Sequence, residues 1–269
     1  MKKLLLILLC IPLIALTQQT YVPDDDFEQH LINEGYDNVL DDFVITSAID
    51  TVSALYLGFF ISTISDLTGL EDFTLLKTLS ISPSLNLTML DVSQNILLED
   101  LSCRANQLTD IDISHNTALT YLNCSENQLT DIDISHNTAL TYLNCSENQI
   151  TNLDVSNNVS LIDLDCSDNQ LITLDIRNGN NDNIVSIRAE NNLNLTCISV
   201  DDDQFSLLNW DNPFWFGFDQ HHYFSNNCLG TSIGEQIINK EFLRIRDILG
   251  RETIEKKNKT LVYIYDDGT

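Results

Sequence analysis

Glycine and proline are scarce in this chain, nine and four among 269 residues. So few glycines leave little room for a phosphate-cradling loop, and no Walker loop, dinucleotide glycine motif, nucleophile elbow or HExxH sequence occurs. The chain therefore reads as a non-enzyme. Cations are also scarce: 13 Lys and Arg stand against 40 acids, for a formal charge of −27. From Gln18 to Leu229 only Lys77, Arg104, Arg177 and Arg188 face 33 carboxylates. Such a surface repels phosphate backbones, which argues against a nucleic-acid partner. Long apolar runs are lacking too. The longest, Leu4 to Leu16, follows Lys2 and Lys3, is broken by Pro12, and is too short to cross a bilayer. It reads as the apolar region of a signal peptide over residues 1–17, with Ala15 and Thr17 as the small residues of a cleavage site. Cys10 follows Leu8 and Leu9 rather than a small residue, which argues against a lipoprotein. The expected product is an exported chain without a membrane span, extracellular, on the outer cell surface or in the periplasm.

What the sequence does have is repetition. Leu108 to Gln128, LTDIDISHNTALTYLNCSENQ, recurs without one change as Leu129 to Gln149. The period of 21 extends further, through Cys103, Cys124, Cys145 and Cys166, through Leu101, Leu122, Leu143 and Leu164, and through Asn106, Asn127, Asn148 and Asn169. One coil of chain thus occupies 21 residues, and equivalent side chains stack in columns. Alternation within a short strand sends Leu119, Leu122, Cys124 and Leu129 inward, with Cys acting as a small buried apolar residue.

The pattern Leu119-x-x-Leu122-x-Cys124-x-x-Asn127-x-Leu129 fits the leucine-rich repeat LxxLxLxxNxL, and Leu108-x-x-Ile111-x-Ile113-x-x-Asn116 places apolar residues at the same offsets. This nesting resembles the 21-residue leucine-rich repeats of bacterial surface proteins, and Ile64 to Phe73 resembles the inter-strand segment of internalin-type repeats. The resemblance implies a repeat solenoid of mostly β coils, extended on both sides. With so little glycine, Asn and Ser must turn the corners. Weaker turns at Val52, Leu76, Leu161 and Ile184 bring the total to roughly seven coils over residues 51–195, a rod of about 30 Å at about 4.8 Å per stacked strand. A single coil has no neighbour to bury its aliphatic residues against, so stability belongs to the stack.

A stack has open ends. Residues 18–50 read as an N-terminal cap, with an Asp run ahead of Phe27, Leu31 and Ile32 at helical spacing. Residues 196–228 break the period and gather aromatic side chains, reading as a C-terminal cap. Cys197 and Cys228 lie outside the cysteine column and are expected to form a disulfide. Residues 229–269, with FLRIRDILGRE and LVYIYDDGT, resemble part of the sorting segment of type IX secretion cargo, though the strand that usually follows the Asp-Gly turn is missing.

Two columns carry candidate chemistry. Asp91, Asp112, Asp133, Asp154 and Asp175 recur every 21 residues and point outward. At about 4.8 Å spacing such charges repel by roughly 1 kcal/mol in water. Hydration, salt and partial protonation relieve this in the preferred reading, and Ca²⁺ in the alternative; no cofactor is otherwise expected. On the opposite face Tyr121, Tyr142, Asn123, Asn144 and Asp165 form a row suited to a peptide or glycan. His115 and His136 share a column only because the repeat was copied, and His221 and His222 lack further ligands at zinc spacing. The functional expectation is a monomeric surface scaffold that binds a protein or glycan. The alternatives are a cation-rigidified structural or adhesive element, and an enzyme whose site lies in the aromatic segment Asn209 to Tyr223.

Overall fold

The computed structural model describes residues 18–57, 64–81, 87–210 and 214–228, together with the two strands 242–247 and 261–265. The expected leader, residues 1–17, lies outside the described residues. The chain divides after Cys228 into two units.

The first unit opens with β1 (Gln19–Tyr21), helix α1 (Asp25–Asn33), β2 (Phe43–Ile45) and the short helix α2 (Thr46–Ile49), β1 pairing antiparallel with β2. Asp24 starts α1 by accepting the N–H groups of Asp26 and Phe27 through Oδ1. Its other oxygen accepts from Ser65 N at 2.9 Å and Asp66 N at 3.1 Å, which ties the helix start to a distant loop. The helix buries Phe27 and Leu31 in the same core as the first coils, with the Phe27 ring 6.4 Å from that of Phe73. Glu28 is fully buried on this face. Its carboxylate accepts the backbone N–H groups of Asp41, Asp42 and Phe43, so the burial leaves no bare charge.

The coils follow. Their strands are β3 (Ala54–Leu57), β4 (Thr78–Ile81), β5 (Asp100–Ser102), β6 (Tyr121–Asn123), β7 (Tyr142–Asn144), β8 (Asn152–Asp154), β9 (Asp163–Asp165), β10 (Thr173–Asp175), β11 (Ser186–Arg188), β12 (Cys197–Ser199), β13 (Phe216–Gly217) and β14 (Tyr223–Ser225), with helix α3 (Asp203–Asn209) after β12. One side of the solenoid is an eight-stranded sheet ordered β3-β4-β5-β6-β7-β9-β11-β13. The other is a four-stranded sheet ordered β8-β10-β12-β14. All these pairings are parallel. Leu122 sits opposite Leu143 in register, both fully buried, in a column running from Leu55 through Leu79, Leu101 and Leu164 to Ile187. The coil is thus a repeat whose apolar residues gain a neighbour only by stacking.

Two features depart from the period read in the sequence. Parallel pairing continues past Leu195, because β12 and β14 extend the four-stranded sheet and β13 extends the eight-stranded one. The step from Ile187 to Phe216 is 29 residues, long enough to hide the partnership from a search at 21. The opposite side, expected to be extended throughout, pairs regularly only from Asn152 onward; among the described residues the earlier coils contribute the bridge between Asp91 and Asp112.

Asparagines close both corners. After the strand side, Asn127 donates through Nδ2 to the carbonyls of Cys103, Cys124 and Ser125 and accepts Leu108 N–H through Oδ1 at 3.0 Å. Asn148 and Asn169 repeat this arrangement, and Asn106 donates to Cys103 and Arg104 while accepting Leu87 N–H. At the opposite corner Asn95, Asn116, Asn137 and Asn158 donate to carbonyls of the coil before, Asn116 to Val92 and Asn95. Their Oδ1 atoms are buried with no hydrogen-bond donor among the described residues. The residue that bends the strand-side corner is the one before the asparagine: Ala105, Glu126, Glu147 and Asp168 all have φ between 53° and 56°. Asn or Gly would adopt this left-handed conformation more easily.

The four cysteines of the column are fully buried, and burial drives their thiols upward, that of Cys103 to about 12. They pack as apolar side chains. In the second unit β15 (Phe242–Asp247) pairs antiparallel with β16 (Leu261–Tyr265).

Candidate functional site

The middle residue of each short strand is buried, so the residues on either side of it face out. Strand register places Tyr121 beside Tyr142 and Asn123 beside Asn144, with Asp165 next in that row. All five residues that the sequence marked for binding therefore share one face of the eight-stranded sheet. The two tyrosine rings stack with centroids 4.5 Å apart and planes within 5° of parallel. Both are half-buried, and burial pushes the Tyr142 phenol up.

Asn123, Asn144 and Asp165 have a second task. Each side-chain Oδ1 accepts both the N–H and the hydroxyl of the serine two residues on, Ser125, Ser146 and Ser167. These closures turn the chain out of the strand. The oxygen atoms are committed to the fold, and the tyrosines remain the freer part of the row.

Two residues outside the sequence-predicted row bracket the tyrosines. Asp100 pairs in register with Tyr121, and Asp163 with Tyr142. Burial pushes both carboxyls up, opposed at Asp163 by a hydrogen bond from Ser186 and by the nearby Arg188. The signal was available, since residues 100, 121, 142 and 163 keep the period of 21. Tyr56, 55% exposed, lies in the Asn123 row at the far end of the sheet.

On the other side of the coil, Asp91, Asp112, Asp133, Asp154 and Asp175 each accept the N–H of the residue two positions on. Bonds from Ser93, Ser114 and Ser135 hold Asp91, Asp112 and Asp133 below the ordinary carboxylate range, which corrects the expectation that partial protonation relieves the column. Near them His115 and His136 meet the hydroxyls of Ser114 and Ser135 at 3.2 and 3.1 Å. Among the described residues no group of three or more His, Cys, Asp or Glu is placed to hold a metal ion.

At the C-terminal end of the first unit Trp210 is buried against Phe216, Phe218 and Phe224, at ring distances of 5.7, 6.4 and 5.5 Å. Phe214, Trp215 and Tyr223 are exposed. Cys197 and Cys228 form a disulfide with Cα atoms 5.8 Å apart, as the sequence led us to expect. An open hollow of about 390 Å³ is lined by Gly179, Asn181, Asp182, Asp201, Asp202 and Phe205. Among the described residues no helix is long and apolar enough to cross a membrane.

Residues 117–158 match the family model described as Leucine Rich repeats (2 copies). No curated protein sequence matches the chain. Among solved structures, the functional domain of InlJ from Listeria monocytogenes, described as including a cysteine ladder, is similar at 34% identity with a TM-score of 0.52. That likeness covers 68% of this chain and 38% of the other. An internalin (inlF) from Listeria monocytogenes is similar at 18% identity with a TM-score of 0.50, covering 67% of this chain and 64% of its own. The chain thus spans less than two thirds of either structure's length. Duplicated coils, parallel sheets on both sides and these likenesses together make the first unit a leucine-rich-repeat solenoid of about seven turns.

Proposed function

We propose that the chain is an exported leucine-rich-repeat scaffold, not an enzyme, that binds a protein or glycan along its eight-stranded sheet. The observation that carries this is the stacked Tyr121–Tyr142 pair, two half-buried rings held rigidly on an outward sheet face. Tyrosine offers contact area at little entropic cost, and here the stack has already ordered both rings. The flanking Asn123, Asn144 and Asp165 fix the backbone that carries them. Placement outside the cell is supported by the disulfide, which belongs to an oxidising compartment. We read residues 229–269 as the export address; their division into a separate unit with its own antiparallel strand pair supports that reading.

The test is capture from cell-surface extracts by the intact chain and by the Tyr121→Ala/Tyr142→Ala variant. Loss of a captured partner with the variant is the expected result. Equal recovery of every partner would remove this face from the function.

A further inference from the structure

Resting on that binding face, we propose that the tyrosine stack and the aspartates at its two ends form a docking strip for an extended, arginine- or lysine-bearing segment of a protein partner. Register fixes the order Asp100, Tyr121, Tyr142, Asp163 along the sheet. Because the rings lie 4.5 Å apart and nearly parallel, their inner faces close on each other. The outer face of Tyr121 is turned toward the strand of Asp100, and that of Tyr142 toward the strand of Asp163. A guanidinium laid on either outer face meets the negative face of an aromatic ring and a carboxylate together. A neutral or anionic segment gains neither.

Charge complementarity points to the same occupant. Four cations face 33 carboxylates between Gln18 and Leu229. Lys77, Arg104 and Arg177 are already paired with Glu99, Glu126 and Asp175. Arg188 acts on Asp163, whereas burial of Asp100 is opposed by no cation. Because Arg188 already shares the Asp163 carboxylate, the Asp100 end should contribute more. With the rings 4.5 Å apart and a contact gap of about 3.5 to 4 Å on each outer face, the two cation positions lie about 12 Å apart. An extended segment rising about 3.3 Å per residue spans this between side chains four positions apart, which project to the same side.

The probe is a soluble peptide with arginine at every fourth position and threonine and serine between, alongside its citrulline twin, which has the same shape without the charge. Calorimetric titration of the intact chain in moderate salt should show binding of the arginine peptide at least tenfold tighter than of the twin. Asp100→Asn should weaken it tenfold or more, Asp163→Asn less, and Tyr121→Leu/Tyr142→Leu tenfold or more. Asp110→Asn/Asp131→Asn removes exposed charge from the other side of the coil and should change affinity less than twofold. No binding, equal binding of the twin, or equal weakening by the Asp110/Asp131 variant overturns the proposal. If the tyrosine variant loses its partner from surface extracts while the arginine peptide fails to bind, the cationic segment falls and the binding face stands. Unaltered capture removes both.

Discussion

The two halves of one coil carry aspartates and asparagines in equal rhythm, yet they treat them in opposite ways. On the side of Asp91, Asp112 and Asp133, serine donors hold the carboxyls low, although the column spacing is one at which like charges repel. On the sheet side Asp100 and Asp163 stand beside tyrosines and burial holds them high. Hydrogen bonding and loss of solvent, more than repulsion along the column, set the behaviour of each carboxylate. The asparagines divide in the reverse sense: those of the sheet-side corner use both ends of the amide, and those of the opposite corner use only the donor end.

The asparagine contrast offers the largest effect. Asn127→Ala strips three carbonyls of a donor and Leu108 N–H of its acceptor, and should cost about 3 to 5 kcal/mol. Asn116→Ala strips two carbonyls and removes an oxygen that had no donor, and should cost about 2 kcal/mol. Urea unfolding of both variants checks the order; equal losses would erase the distinction between the corners.

Glu147→Gly relieves a left-handed residue of its side-chain clash and should stabilise by about 0.5 to 1 kcal/mol. Glu126→Gly should gain less, because the Glu126 carboxylate is paired with Arg104. A thermal melt of the two variants ranks them.

The smallest effect is one of sign with pH. Asp100 and Asp163 titrate higher folded than unfolded, so they lower stability as pH rises through the carboxylate range. Asp100→Asn/Asp163→Asn should then be more stable than the parent near about pH 7 and indistinguishable near about pH 3. Asp112 and Asp133 titrate lower folded, and their contribution is present above the unfolded value and lost as pH falls through the folded one. Asp112→Asn/Asp133→Asn should be slightly less stable near neutrality, by a margin that shrinks as pH falls. Denaturant midpoints at both pH values measure this, and a common sign for the two variants would break the comparison between faces.

Much of the solenoid was legible in advance because its information is local and copied. Leu122 and Leu143 share a column by arithmetic, as do Tyr121 and Tyr142, and Cys197 and Cys228 stood apart from the cysteine column. What was missed lies where the copying stops or where geometry outranks residue type. The pairing of β13 with β11 crosses a 29-residue excursion that no period marks. Glu126 and Glu147 occupy the left-handed corner although their type argues against it, since the neighbouring coils hold the backbone there. Asp100 and Asp163 shared the tyrosine column, but nothing in composition says that an aspartate will be half-buried beside a ring.

By itself the sequence determined the period, the apolar interior and the side of the coil each residue faces, because stacking identical coils adds the same nearest-neighbour contacts at every step. Only the folded chain decided which amide oxygens keep a donor, which carboxyls rise or fall, and how closely two rings meet. Those depend on distances of an ångström and on solvent access set jointly by several coils, quantities that no single 21-residue unit contains.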